Sequence, residues 1–263
     1  MNRSQLVDLL ISLKPRGLSS LKAEYESEGS TDEDIFFLKE ICILSGLGLH
    51  VKIGGVEARR DFRRCLIIGV DGIIAPMVEN AFCGSKFIGM YKNDEQFYGT
   101  EIWDTHRSIN VETKYAVSEI KNIISKIGDD IHNITIGRSD LSGSYFDEDI
   151  KQDSDQINKD IKTVISSIKD SGKNISLTVG GGVTSKTVRP ILEDDYLISN
   201  IKAIETRKCM IDSINIASDP SIIDDVLEFE MAYLDNRVNS RHTLDTYADK
   251  ARLEELTKRL SNK

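Results

Sequence analysis

Two acidic residues, Glu112 and Asp140, follow two short runs in which polar and apolar residues alternate. These runs, 108–112 and 133–137, are predicted to be β-strands. Between them, residues 114–130 carry apolar side chains at the spacing of one helix face, which predicts a βαβ unit with parallel strands. Parallel strands end at the same edge of a sheet, and ligands bind at that edge in α/β folds. We therefore expect the two carboxylates to converge on one site.

The rest of the chain repeats this alternation and predicts a (β/α)8 TIM barrel. Residues 92–104 are polar without a period and predict a surface loop, and residues 142–155 are expected to cover the site. The whole chain, 1–263, is expected to form one barrel domain with a cap helix within 1–16 and additional helices at about 221–263. The other strands are predicted at 18–26, 49–53, 72–75, 174–179, 201–207 and within 210–216, and the other helices at 35–44, 56–68, 82–91, 156–169, 185–192, 222–234 and 243–260.

Each predicted strand has one apolar face and one polar face. In a barrel the apolar face packs on the helices, so the polar face must point inward. Buried charges without partners cost several kcal/mol each, which favours a polar interior that holds a ligand. The alternative is pairing within the interior, such as Lys22 with Glu24 or Lys52 with Glu205. The polar residues are Lys22, Glu24, His50, Lys52, Asn110, Glu112, Thr135, Ser176, Thr178, Glu205 and Arg207.

Composition and charge exclude several classes of partner. A length of 263 residues with 40% hydrophobic residues is sufficient for a barrel core. The net charge of −9, without a basic cluster, argues against nucleic acid. The N-terminal segment has neither a cleavage site nor a membrane-spanning length, so a cytoplasmic protein is expected. The cysteines lack Cys-x-x-Cys spacing and are interpreted as thiols in a reducing compartment: Cys42, Cys65, Cys83 and Cys209.

Five motifs, in order along the chain, resemble the HpcH/HpaI aldolase and citrate lyase β-subunit family of phosphoenolpyruvate/pyruvate-binding TIM barrels. The resemblance covers about residues 19–210 and implies a carbon–carbon lyase or aldolase that depends on Mg²⁺ or Mn²⁺. The motifs are Lys52-Ile-Gly-Gly-Val-Glu-Ala58, Gly69-Val-Asp-Gly-Ile-Ile-Ala-Pro-Met-Val-Glu79, Asn110-Val-Glu-Thr113, Gly137-Arg-Ser-Asp-Leu-Ser-Gly-Ser144 and Gly180-Gly-Gly-Val183.

The resemblance also implies roles for individual residues. Glu112 and Asp140 match the two metal carboxylates of the family, and oxygen ligands are what a hard divalent cation prefers. The family usually has an arginine at the position of Lys52. The ammonium group of lysine is a point charge, whereas the planar guanidinium of arginine can bind a carboxylate through two N–H groups. Arg207 is therefore expected to supply the guanidinium.

The remaining assignments concern the substrate and the general base. Lys22 and the strand end at Gly137, Arg138 and Ser139 are assigned to substrate binding, with backbone N–H groups holding the substrate carboxylate. His50, His106 and Glu24 are the candidate bases, and a lone histidine on a strand is more often structural. Gly180 to Gly182 is a weak phosphate signal, because a tight turn explains these glycines equally well.

Three functions stay open on the sequence alone. The first is a metal-dependent lyase or aldolase acting on a small keto acid such as pyruvate or oxaloacetate, with an aldehyde as the second substrate. The second is a citrate-lyase-like acyl-CoA lyase, for which Arg59, Arg60, Arg63 and Arg64 would bind phosphates unless they form a solvated helix face. The third is a non-catalytic barrel that keeps its metal and ligand site. The apolar segment 226–234 and the family resemblance also predict a homo-oligomer.

Overall fold

The computed structural model describes residues 1–240 and 247–261 of the chain. Eight strands close into a barrel in sequence order, which confirms the predicted TIM-barrel fold. The strands are β1 (Leu18–Glu24), β2 (Gly48–Lys52), β3 (Gly72–Ala75), β4 (His106–Val111), β5 (Asn133–Gly137), β6 (Ser176–Gly180), β7 (Ala203–Glu205) and β8 (Cys209–Asp212).

The eighth strand departs from the repeating pattern. Strands β1 to β7 are parallel, whereas β8 pairs antiparallel with both β7 and β1. The physical reason is the connection: only the residues from Thr206 to Lys208 separate β7 from β8, and a parallel crossover requires a dozen or more. The turn is closed by the N–H of Thr206, which donates to the carbonyl of Cys209 at 2.8 Å. Barrel closure therefore uses a hairpin in place of the last βα unit.

Helices surround the barrel. Their apolar residues pack on the outward-facing apolar residues of the strands, and this layer forms most of the hydrophobic core. The predicted loop at 92–104 is wrong, because helix α4 (Ala81–Tyr98) extends into it and a 3₁₀ helix follows at Thr100–Asp104. Buried Asp94, which accepts two hydrogen bonds from Arg63, anchors this extension. The helices are α1 (Arg3–Leu13), α2 (Asp32–Ser45), α3 (Arg59–Ile68), α4 (Ala81–Tyr98), α5 (Lys114–Ser118), α6 (Ile120–Ile127), α7 (Arg138–Gly143), α8 (Asp155–Ser171), α9 (Arg189–Leu192), α10 (Asp195–Ile198), α11 (Ser213–Ser218), α12 (Ile222–Ser240) and α13 (Tyr247–Ser261).

The two C-terminal helices pack on the barrel and on each other. Val226, Leu227, Phe229 and Leu234 of α12 are buried within the chain itself. The apolar excess that suggested an oligomer is therefore accounted for by intramolecular packing, and the homo-oligomer stays a prediction. The predicted beginning of the last helix, at residue 243, lies outside the described residues. None of the helices described has the length and apolarity needed to span a bilayer.

Candidate active site at the barrel mouth

A cavity of about 370 Å³ opens at the C-terminal ends of the parallel strands. This is the end at which the sequence placed the site, because side chains that follow parallel strands meet there. Its wall is predominantly polar and carries both signs of charge. The lining residues are Lys22, Glu24, Ser27, Lys52, Asn110, Glu112, Gly137, Ser139, Asp140, Gly181, Gly182, Val183, Glu205, Thr206, Arg207, Arg252, Glu255 and Arg259.

Glu112 is held rigidly at the end of β4. It is 4% exposed, and its Oε1 accepts a hydrogen bond from Asn110 Nδ2 at 2.9 Å while its Oε2 accepts one from the N–H of Met77 at 3.1 Å. Burial raises the pKa of Glu112, Lys52 partly offsets this effect, and the like charge of Asp140 raises the pKa further. The two predicted metal carboxylates therefore line one cavity and repel each other across it.

The strand end beside Glu112 has to be glycine. A Cβ added to Gly137 would lie 2.9 Å from both Cγ and Oε1 of Glu112, closer than real Cβ contacts come. Gly137, Ser139 and Asp140 line the cavity as expected, and both Ser139 and Asp140 are exposed to solvent within it.

Arg138 has a different position from its neighbours. Its guanidinium is buried and donates to the backbone carbonyls of Gly180, Gly181 and Thr187 at 2.9 to 3.2 Å. The side chain thus joins the end of β6 to the end of β5 and is not available to a substrate, which corrects the assignment of Arg138 to substrate binding. Gly181 has a φ of 85°, and a Cβ there would lie 2.5 Å from the backbone nitrogen of Ser139. The glycines of this loop are explained by a tight turn.

Two ion pairs cross the inner wall of the barrel. Lys22 binds Glu205, and Lys52 Nζ lies 3.1 Å from Glu24 Oε2. Internal pairing therefore occurs, with the partners exchanged relative to the pairs considered from the sequence. Burial disfavours the charged form of Glu24, but Lys22 and Lys52 outweigh it, and with a hydrogen bond from Ser27 they hold the pKa at about 2. Glu24 is consequently a weak proton acceptor.

The histidines described lie near the opposite end of the barrel. His50 does not line the cavity; its ring centroid is 5.0 Å from that of His106, which in turn is 5.1 Å from that of His132. Burial lowers the pKa of His50 to about 4 and that of His106 to about 3. The structure thus separates His50 from the predicted site, although it lies on the same strand as Lys52.

The residues around Glu112 fit a hard divalent cation. Asn110 Oδ1 is buried without a hydrogen-bond partner, and its amide group touches the carboxylate of Glu112. Two carboxylates and an amide oxygen are the donor types that Mg²⁺ or Mn²⁺ prefers, with water or substrate as the remaining ligands. Within residues 1–240 and 247–261, no group of three or more His, Cys, Asp or Glu side chains forms a preassembled metal cluster.

Neither a protein-family model nor a curated protein matches the sequence. Solved structures do match it. An HpcH/HpaI aldolase from Desulfitobacterium hafniense DCB-2 aligns with a TM-score of 0.56 and 16% identity, over 72% of this chain and 77% of that one. A family protein from Burkholderia cenocepacia J2315 aligns at 0.58 and 14%, over 78% and 83%. The citrate synthase SbnG aligns at 0.61 and 15%, over 84% and 86%.

The chain has the barrel of the HpcH/HpaI aldolases. The family expected from the sequence motifs is the one to which these structures belong. At 14 to 16% identity the likeness establishes the fold, and the chemistry has to be inferred from the residues of the site.

Helix α13 completes the mouth of the barrel, which was not expected from the sequence. Arg252 is bound to buried Glu230 of α12 at 2.8 Å, and Arg259 lies 2.5 Å from Glu255. Arg252, Glu255 and Arg259 all line the cavity, and their i, i+3 and i+7 spacing is the one sequence signal that could have revealed a shared face. Arg207, in the β7–β8 turn, is an exposed cation at the same mouth.

The arginine group at 59–64 gives little support to a nucleotide site. Arg63 is bound by Asp94 through both carboxylate oxygens, at 2.7 and 2.9 Å. Arg64 Nε lies 3.0 Å from Asp32. Two of the four guanidinium groups are therefore already paired with carboxylates, and none of the four lines the cavity.

Proposed function

We propose that this protein is a divalent-metal-dependent carbon–carbon lyase or aldolase that acts on a small 2-keto acid through its enolate. The observation that carries the proposal is the convergence of Glu112 and Asp140 on one cavity, with the unpartnered Oδ1 of Asn110 beside them. The fold is compatible with this, since it is the barrel of the HpcH/HpaI aldolases. The pairing of Arg63 and Arg64 disfavours the acyl-CoA alternative.

A Mg²⁺ or Mn²⁺ ion held by Glu112 and Asp140 would act as a Lewis acid on the keto oxygen of the substrate. The protein contributes the surrounding charges. Lys52 interacts electrostatically with Glu112, so its ammonium group stabilises negative charge that develops next to that carboxylate. Ser139, two residues after β5, lines the cavity, and its hydroxyl and N–H would bind the substrate carboxylate.

The cations at the mouth of the cavity would attract an anionic substrate. Arg207 from the β7–β8 turn and Arg259 from α13 present guanidinium groups at the rim, and Arg207 has no carboxylate within ion-pair distance in the described part of the chain. A keto acid entering from solvent would meet these cations first and then the inner site. Helix α13 also limits access of water to the cavity, which strengthens the electrostatic interactions inside it.

The test is exchange of solvent deuterium into the methyl group of pyruvate, followed by NMR with and without Mn²⁺. We expect exchange in wild type only when the metal is present, and a loss of at least about 100-fold in Glu112→Gln and in Asp140→Asn. Glu148→Gln, an exposed carboxylate outside the cavity, is the matched control and should exchange at the wild-type rate.

Three other outcomes would refute the proposal. Exchange without metal would refute the metal-dependent mechanism. Exchange that survives in both variants would remove Glu112 and Asp140 from it. Metal binding without any exchange would favour a barrel that binds a ligand without turnover, and a parallel assay with an acyl-CoA would then distinguish that case from a thioester lyase.

A further inference from the structure

Formation of an enolate requires a base within reach of the proton on C3 of the keto acid. The histidines described here do not line the cavity. Glu24 does, but its Oε2 already accepts from Ser27 and pairs with Lys52, and its pKa of about 2 makes it a poor acceptor near neutral pH. None of the bases considered from the sequence therefore fits the structure.

Glu205, the last residue of β7, combines a place in the cavity with a buried acceptor atom that has no partner. It lines the cavity and is 4% exposed. Its Oε1 accepts a hydrogen bond from Lys22, whereas its Oε2 is buried and has no hydrogen-bond partner. A buried acceptor without a partner costs about 1 to 3 kcal/mol, so such an atom is expected to have a partner in the functional complex. The cavity is where that partner would come from.

The backbone around Glu205 is fitted to this side chain. A Cβ on Gly180, at the end of the neighbouring strand β6, would lie 2.8 Å from Cγ of Glu205. Glycine at this position leaves the space that the carboxylate occupies. Gly137, at the end of β5, lies in the same way against Glu112, which follows β4. Each of the two buried carboxylates therefore lies against a glycine at the end of a neighbouring strand.

Lys22 positions Glu205 relative to the carboxylate pair. Its ammonium group is buried and interacts electrostatically with Glu205, Glu24 and Glu112. It therefore lies within electrostatic range of both Glu205 and Glu112. The N–H of Lys22 donates to the carbonyl of Lys208 at 2.8 Å, which fixes β1 to the β7–β8 hairpin that carries Glu205. The ion pair and the hairpin together determine where Oε2 points.

We propose that Glu205 is the general base of the reaction, an inference that rests on the proposed function. Oε2 takes the proton from C3 of the keto acid, so that the C–H bond breaks and an O–H bond forms on the carboxylate. The electron pair of the C–H bond becomes the C2–C3 double bond, and the carbonyl π pair moves onto the keto oxygen. In the reverse direction the carboxylic acid returns a proton to C3, after exchange with solvent.

The experiment is the same deuterium exchange, with Glu205→Gln and Glu205→Asp compared with wild type and with Glu254→Gln. Glu254 is an exposed carboxylate on α13 that does not line the cavity, so its variant is the control. For Glu205→Gln we expect kcat for exchange to fall by about 10² to 10⁴, the usual contribution of a general base. Affinities for Mn²⁺ and for oxalate, measured by calorimetry, should stay within threefold of wild type.

The aspartate variant keeps the charge opposite Lys22 and withdraws the carboxylate by one methylene group. It decides the question if Glu205→Gln does not fold, and its exchange rate should fall at least tenfold with both affinities retained. Exchange within threefold of wild type in a folded Glu205 variant would overturn the role of Glu205 and leave the proposed function intact. If wild type itself does not exchange pyruvate protons, the proposed function fails, and the assignment of Glu205 fails with it.

Discussion

The buried histidines at the N-terminal end of the barrel predict a loss of stability at mildly acidic pH. The Nδ1 atom of His50, on β2, is buried without a hydrogen-bond partner. The ring lies close against Gly72 of β3, where an added Cβ would be 2.6 Å from Nδ1. Burial lowers its pKa from 6.5 to about 4; Asp71 opposes this effect and Lys22 adds to it. The folded protein therefore holds His50 neutral, whereas the unfolded chain takes up a proton at a higher pH.

The sign and size of the effect follow from this difference. Because the folded pKa lies below the unfolded one, the stability contribution is complete above about pH 6.5 and is lost as the pH falls towards about 4. For a shift from 6.5 to about 4, proton linkage gives a loss of about 2 kcal/mol in the free energy of unfolding between roughly pH 7.5 and pH 5. His106, which contacts His50, is displaced in the same direction and adds to the loss.

The assay is urea unfolding followed by circular dichroism at the two pH values, on wild type and on His50→Gln. Glutamine cannot take up the proton, so the pH-dependent loss should be about 2 kcal/mol smaller in the variant, whatever its absolute stability. The carboxylates titrate in both proteins and cancel in this difference. An equal loss in wild type and variant would show that His50 is protonated in the folded state, contrary to the reasoning from its burial.

Three further predictions concern the site and its support. Gly137→Ala should displace the carboxylate of Glu112 and weaken Mn²⁺ binding by calorimetry about 10- to 100-fold, as changes beside metal ligands commonly do; unchanged affinity would contradict the contact. Lys208→Met should cost about 3 to 5 kcal/mol in urea unfolding because it leaves Glu28 as a buried unpaired charge, and adding Glu28→Gln should recover part of that loss. Arg259→Gln should raise the KM for pyruvate and leave kcat nearly unchanged, since a rim cation binds substrate and transition state alike.

The barrel could be predicted from the sequence because its signal is local. Alternating strands and amphipathic helices repeat along the chain, and β3 and β5 have the predicted bounds. The β7–β8 hairpin was not recognised, because residues 201–207 were assigned to one long strand. The strand ends at Glu205, and Arg207 lies in the turn.

The parts of the site that could not be predicted depend on depth and long-range packing. Alternation specifies which face of a strand a residue occupies, but not how far along the barrel it lies. His50 is two residues before Lys52, which places it roughly 6 to 7 Å deeper in the barrel, below the cavity. The direction of the Arg138 side chain is set by carbonyl groups about 40 residues later in the chain, and no local pattern records them. The arrival of Arg259 over the mouth likewise depends on how α13 packs on α12.

The antiparallel eighth strand has a consequence for the order in which the chain can fold. Strand β1 pairs with β2 on one edge and with β8 on the other. Strand β8 begins only at Cys209. While the chain is being synthesised, the outer edge of β1 has no partner until Cys209–Asp212 have emerged from the ribosome. An unpaired edge of this kind is a template for pairing with other chains, so the late β7–β8 hairpin covers an aggregation-prone edge as well as completing the barrel. Chains that stop between β7 and β8 would expose the unpaired edges of β1 and β7 together.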